Sequence, residues 1–283
     1  MNRFDVLELN LQVCRENADI MKNNRYMLNT GSDDQKEQRV TFAHKLQEHQ
    51  KVIVYSPDQL DHLKKNIADR LRADTENHIT VADEDSFATQ TDCELNFANA
   101  QNPGGGYLRG AVAQEEALCR QSTLYVSIAS REARTMYEHN SCVADLDTRY
   151  LLVSPCVEVF RQRDLSLMEK TFTTAVITAA APNLYGSAFN VSLPRLQEYY
   201  RERIQDILCA AADNGYRSIT LGAWGCGAFG NDPKEVAMAF RDVLVEDGYG
   251  KFFEQIRFAI PDRTSRNYMA FYEIMNRGRK EIR

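Results

Sequence analysis

Glu115 and Glu116 stand side by side just after a run of three glycines, Gly104 to Gly106, within the stretch Asn96 to Glu116. Consecutive glycines let a backbone approach a ligand that side chains would hold off. Successive bare N–H groups in such a loop form a concavity suited to an anion such as a diphosphate. A tunable carboxyl beside an anion cradle is equipment for breaking a bond next to a bound diphosphate. Side by side on a helix, the two glutamates point about 100° apart, so they cannot share one task. Taken alone, a Glu-Glu pair at a helix start is an ordinary response to the helix dipole. The glycines beside it are what shift the reading toward chemistry.

A second glycine loop, Gly225-Cys226-Gly227-Ala228-Phe229-Gly230, joins an expected strand to a helix opening near Asp232. Ligands of open α/β sheets bind beyond the carboxyl ends of the strands, where helix N-termini favour anions. Two such loops could grip a diphosphate from both sides. Cys226 reads as small filler rather than a nucleophile, because no histidine stands near it in sequence. The five histidines, His44, His49, His62, His78 and His139, show no metal-ligand spacing and read as surface or loop residues. A nicotinamide-dinucleotide site would want Gly-x-Gly-x-x-Gly after the first strand and an acidic residue about 20 positions on, and Gly-Gly-Gly ending in a diacid does not match it.

The elements that must position these residues follow from periodicity. Expected strands are 79–82, 94–98, 150–154, 157–160, 174–180, 218–222 and 256–260, several of them near-continuous apolar runs. Pro194 to Asn214 place Leu196, Tyr200, Ile204, Ile207 and Ala211 on one helical face, with Gly215 as the stop. Asp232-Pro233-Lys234-Glu235 opens another helix, and Ser56-Pro57-Asp58-Gln59 is a capping-box start. Val6, Leu7, Leu9 and Val13 recur at helical spacing, and Gly31 to Asp34 reads as a loop. Strands alternating with helices of this length give a three-layer α/β fold with a mixed sheet. Residues 1–75 are expected as a mainly helical extension packed on a catalytic domain of residues 76–283.

Composition sets outer bounds. The 283 residues are 43% hydrophobic and 26% charged, which suits a globular domain with a sizeable core. A formal charge of −6 argues against binding duplex nucleic acid broadly, and the basic run from Arg277 to Lys280 reads as a solvated helix end. Seven cysteines without Cys-x-x-Cys spacing fit reduced thiols, and no leader-like stretch opens the sequence, so a cytoplasmic location is expected. The longest apolar run, Ala175 to Pro182, is too short for a bilayer, and no membrane partner is expected.

Gly-Gly-Gly, a spacer and Gln114-Glu115-Glu116 together resemble the signature of poly(ADP-ribose) glycohydrolases, in the short bacterial form built on a macrodomain. Trp224 to Gly230 is similar to that family's second phosphate loop, and the resemblance runs from about Cys93 to Pro261. It implies a hydrolase that cleaves ribose–ribose O-glycosidic bonds and releases ADP-ribose, acting as a monomer on poly(ADP-ribose) or an ADP-ribosylated protein. It implies Glu116 as the acid and Glu115 as the group that orients ribose hydroxyls. Asn99 would contact the ribose being cleaved, Gln114 would support the pair, and Phe229 would pack on the ribose. Gly104, Gly105, Gly106, Gly225, Gly227, Ala228 and Gly230 would surround the phosphates, with Tyr107 lining the cleft. The strands near Val157–Phe160 and Ala180–Asn183 would wall the adenine. The scheme calls for no metal and no cofactor. Two alternatives share the scaffold: a mono-ADP-ribosyl-protein hydrolase and a non-catalytic ADP-ribose reader.

Overall fold

The computed structural model describes residues 2–29, 37–67, 78–143 and 145–277. The expected loop at Gly31 to Asp34, the boundary at residue 75 and the basic tail beyond Arg277 lie outside the described residues. In chain order the elements are α1 (Arg3–Asn23), β1 (Arg25–Asn29), β2 (Glu37–Thr41), α2 (Leu46–His49), β3 (Ile53–Tyr55), α3 (Pro57–Ile67), β4 (His78–Ala82) and β5 (Cys93–Ala98). There follow α4 (Gln114–Gln121), α5 (Leu124–Ile128), α6 (Arg134–Asn140), β6 (Leu151–Arg161), β7 (Leu167–Ala180) and α7 (Leu193–Asp213). The chain continues through β8 (Ser218–Leu221), α8 (Pro233–Arg241), β9 (Gln255–Ala259) and α9 (Arg266–Met275).

Seven strands form one mixed sheet in the order β3-β6-β7-β5-β8-β9-β4. The run from β7 to β4 is parallel, while β6 and β3 join antiparallel at one edge. Residues alternate between the two faces as a pleat requires. Leu151, Val153, Ala175 and Ile177 enter the core beneath α3, α7, α8 and α9, whereas Leu152 and Val176 enter the opposite core beneath α4, α5 and α6. Both faces are therefore covered, which is why these strands read as unbroken apolar runs.

The expected strands at 150–154 and 157–160 are one strand, interrupted by a register shift between Ser154 and Val157. Pro155 cannot donate to a ladder, and the irregularity absorbs it without ending the strand. The first quarter contains more strand than its helical pattern suggests: β1 and β2 form a two-stranded sheet, and β3 extends the main sheet through β6. Helix α1 begins with a capping box between Asn2 and Asp5. It is anchored by Asn17, whose amide donates to Arg120 O at 2.7 Å and accepts from Arg161 Nε at 2.8 Å. Helix α4 carries Glu115 and Glu116, so α1 braces the region of the glutamates. Among the described residues no helix is long and apolar enough to cross a membrane.

Candidate active site

Helix α4 starts directly above the carboxyl end of β5, and its first three side chains part in three directions. Gln114 reaches back to the strand: its Oε1 accepts from Phe97 N at 2.9 Å and its Nε2 donates to Leu95 O at 2.9 Å. Glu115 is 3% exposed; its Oε2 accepts from Asn99 N at 2.8 Å and its Oε1 from Asn96 Nδ2 at 3.1 Å. Burial pushes the Glu115 carboxyl up to about 8, with the Glu116 charge adding to the rise and the Asn99 and Asn96 donors opposing it. Glu116 is 7% exposed, and its Oε1 accepts from Gly106 N at 2.7 Å. Its Oε2 is buried and has no hydrogen-bond partner among the described residues.

The first glycine loop earns its composition by closeness to this pair. Gly104 and Gly105 have φ of +69° and +56°, the left-handed region that favours glycine. A Cβ on Gly105 would sit 2.5 Å from Glu116 Oε1 and 3.1 Å from Glu115 Oε2. Both carboxyl groups thus bear on the underside of the loop. The Gly106 N–H is already committed to Glu116, so that amide anchors the acid. Asn99 closes the loop base, its Oδ1 accepting from Gln101 N at 2.9 Å and Asn102 N at 2.8 Å.

The second loop follows β8. Gly225, at φ +74°, lies against Ala181 and Asn231, and a Cβ there would come within 2.5 Å of both. Asn231 fixes the loop by donating to Pro182 O and Gly225 O, each at 2.8 Å. A Cβ at Gly227 would meet nothing within 4 Å. Gly230, at φ +75°, backs onto the Tyr185 ring. Trp224 ahead of the loop is fully buried and donates its indole N–H to Ala179 O at 2.9 Å. Cys226 donates to Trp224 O at 3.5 Å, and burial pushes its thiol up to about 12, which leaves it unreactive.

Between the loops runs a cleft of about 760 Å³, within the range of small-molecule sites. Asn99, Gln114, Glu115, Glu116, Gly225, Gly227, Ala228 and Phe229 all line it. Gly104, Gly105, Gly106 and Gly230 shape the loops around it rather than its wall. Tyr107 does not line the cleft: at 2% exposure it is packed in the core, with its ring 4.9 Å from that of Tyr125. The turn at Tyr107–Arg109 aims it inward. Ala181 borders the cleft, but Val157 to Phe160 are buried in β6 and do not. His49 is also not a surface residue; it is 1% exposed, its Nδ1 donates to Cys156 O at 3.0 Å, and Phe42 meets its ring edge-on at 5.9 Å.

Other lining residues had no local sequence signal. Val6 and Asn10 come from α1, Asp85 and Ser86 from the segment after β4, and Arg163 and Leu165 from the turn between β6 and β7. Leu165 has φ +72°, uncommon for a bulky side chain, and its carbonyl accepts from Arg161 Nη1 at 2.7 Å. Arg120, 5% exposed, donates to Ala111 O at 2.5 Å and places a cation near the glutamates. Among the described residues no group of three or more His, Cys, Asp or Glu could hold a metal ion.

The family model for the microbial-type PARG catalytic domain matches residues 14–162. The fold is similar to the poly(ADP-ribose) glycohydrolase (PARG) of Thermomonospora curvata, with a TM-score of 0.83 and 31% identity over 94% of this chain and 99% of that one. The same enzyme bound to the inhibitor ADP-HPD matches at a TM-score of 0.82, again with 31% identity and with the same coverage of 94% and 99%. Deinococcus radiodurans PARG in complex with ADP-ribose matches at 0.76 and 34% identity, over 84% of this chain and 98% of that one. A comparison with curated proteins gives no match. A family model spanning half of the chain, and relatives above 30% identity over nearly their whole length, agree with the two loops and the glutamate pair found between them: the chain belongs to the microbial-type poly(ADP-ribose) glycohydrolase family.

Proposed function

We propose that this chain hydrolyses the ribose–ribose O-glycosidic bond of poly(ADP-ribose) and releases ADP-ribose, with Glu116 as general acid and then general base. The observation that carries the assignment is the state of the two Glu116 oxygens. Oε1 is fixed by the Gly106 N–H at 2.7 Å, while Oε2 is buried, without a partner among the described residues, and belongs to a residue lining the cleft. A carboxyl held at one oxygen and open at the other can deliver a proton to a departing ribose oxygen. It can then take one from the water that attacks the anomeric carbon.

Glu115 is the orienting group. Both of its oxygens already accept from Asn96 and Asn99, which fixes the carboxyl in place. With its carboxyl pushed up to about 8 by burial, it carries a proton near neutral pH and can donate a hydrogen bond to a ribose oxygen. Gly225, Gly227 and Ala228 offer backbone to the diphosphate, and Phe229 packs against the ribose. The macrodomain assignment, action as a monomer and a cytoplasmic setting belong to the same reading.

Glu116→Gln tests it. The variant is expected to bind ADP-ribose within threefold of the parent while release of ADP-ribose from polymer falls by at least a thousandfold. Substantial residual hydrolysis would remove Glu116 from the role. Parallel incubation with mono-ADP-ribosylated protein separates the alternatives: persistent protein-linked monomer agrees with the proposal, and its removal points to the mono-ADP-ribosyl hydrolase.

A further inference from the structure

The segment after β7 holds two large aromatic rings out into solvent, one of them, Tyr185, beside the second glycine loop. Tyr185 is 78% exposed and Phe189 is 75% exposed. They do not sit on a loose loop. Gly186 N and Ala188 N both donate to Asn183 O at 3.0 Å, Phe189 N donates to Gly186 O at 3.1 Å, and Tyr185 N donates to Asn183 Oδ1 at 3.2 Å. A close Gly186–Asn183 packing, where a Cβ would lie 2.7 Å from Asn183 Nδ2, tightens the turn further. The turn is also joined to the site: Leu184 N donates to Phe229 O at 2.9 Å. The Tyr185 ring lies on Gly230, where a Cβ would come within 2.6 Å of it. Glycine at 230 is therefore what allows the ring to lie against the loop.

Phe229 lines the cleft and Tyr185 does not, so the tyrosine stands just outside the mouth, one residue step from the wall. Rigid, exposed apolar area contiguous with a binding cleft marks a contact surface. Under the function proposed above, on which this inference depends, one ADP-ribose unit occupies the cleft. The rest of the polymer must then leave across its rim. Each further unit carries a purine, and a purine stacks on an exposed aromatic ring whatever its neighbours.

We infer that Tyr185 and Phe189 form a leaving-side subsite that stacks the adenine of the unit beyond the scissile bond. The subsite gives the enzyme a preference for polymer over a single linked unit. It contributes to capture of the substrate and does not touch the reacting atoms, so its signature is a change in KM without a matching change in kcat.

The test uses the full chain with Tyr185→Ala and Phe189→Ala, and reads hydrolysis of long poly(ADP-ribose) alongside the Kd for ADP-ribose. Each variant is expected to raise KM for polymer about fivefold or more, in line with the loss of one stacked base. Both kcat and the ADP-ribose Kd should stay within twofold, and Tyr185→Phe should restore KM. An unchanged KM in both variants overturns the subsite. So does a parallel rise in the ADP-ribose Kd, because it would mean that Tyr185 merely props up the second loop. Absence of polymer hydrolysis by the parent chain overturns the proposed function together with this subsite, and is told apart from the other outcomes by the parent alone.

Discussion

Gly105→Ala should damage the active site more than its single added methyl suggests. At φ +56° an alanine sits in the left-handed region, at a cost of about 1–2 kcal/mol. Its Cβ would also lie 2.5 Å from Glu116 Oε1, inside any tolerable contact, and 3.1 Å from Glu115 Oε2. Either the loop lifts or the Glu116 carboxyl swings away, and both break the 2.7 Å bond from Gly106 N. A hydrogen bond of this kind is worth about 0.5–1.5 kcal/mol net. Strain and the lost bond together come to about 1.5–3.5 kcal/mol, part appearing as reduced stability and part as a misplaced acid. At about 1.4 kcal/mol per decade, the part that falls on the acid lowers kcat by about one to two decades. The assay is ADP-ribose release from polymer beside thermal unfolding of the same samples. Gly227→Ala is the control, because its Cβ meets nothing within 4 Å. It should keep the parental unfolding temperature and weaken ADP-ribose binding by crowding the cleft it lines. A Gly105→Ala protein with kcat within threefold of the parent and an unchanged melting temperature would refute the reasoning.

Two further outcomes follow from the geometry. The Glu115 carboxyl stands at about 8 in the folded chain against 4.5 as its ordinary value, so the folded state holds a proton that the unfolded state gives up in between. Stability from this group is therefore full below about pH 4.5 and declines as pH rises toward 8, by at most about 5 kcal/mol. Glu115→Gln removes that decline. Denaturant titrations at pH 5 and pH 8 should show the variant gaining on the parent with pH, and parallel curves would contradict the shift. Asn231→Ala removes two donors to the second loop, to Pro182 O and Gly225 O, and leaves the Tyr200 hydroxyl without its acceptor. A loss of about 2–4 kcal/mol in stability and at least a tenfold weaker ADP-ribose affinity are expected; calorimetric titration showing parental affinity would exclude Asn231 as the loop's anchor.

Much of the molecule was legible because its signals are local. Asp232 caps α8 through Lys234 N at 2.8 Å, and Ser56 and Gln59 exchange the capping-box bonds that their spacing predicts. Helix α7 and the central strands carry periodicities that tertiary packing does not override. What escaped depends on distant partners. β3 is three residues long, too short to alternate visibly, and is a strand only because β6 lies beside it. β1 and β2 carry mixed polar sequence, since their one shared apolar core is closed by α1 and Phe160. His49 looks polar in sequence, yet it lies in the interior, with its Nδ1 held by a carbonyl 107 positions away. Asp85 and Arg163 reach the cleft through topology alone, so no spacing could announce them, whereas Arg120 stands one helical turn after Glu116 on α4.

The order Gln-Glu-Glu has a geometric reason in the sheet beneath it. β8 pairs with β5 only at Cys93 and Glu94 and then diverges. Beyond that point the outward backbone groups of β5, Leu95 O and Phe97 N, need partners, since buried amides left unpaired are costly. The Gln114 side-chain amide supplies an acceptor and a donor to these two groups, in place of the missing strand. Docking Gln114 in this way fixes both the height and the rotation of α4 over β5. With about 100° between successive residues, Glu115 then falls over Asn96 and Asn99, and Glu116 falls beneath Gly106. A helix shifted by one residue would hand the Asn96 site to the wrong carboxyl and leave the loop amide unpaired. Sequence order thus encodes which glutamate is pinned at both oxygens and which keeps one open, and this division separates orienting from proton transfer in the proposed reaction.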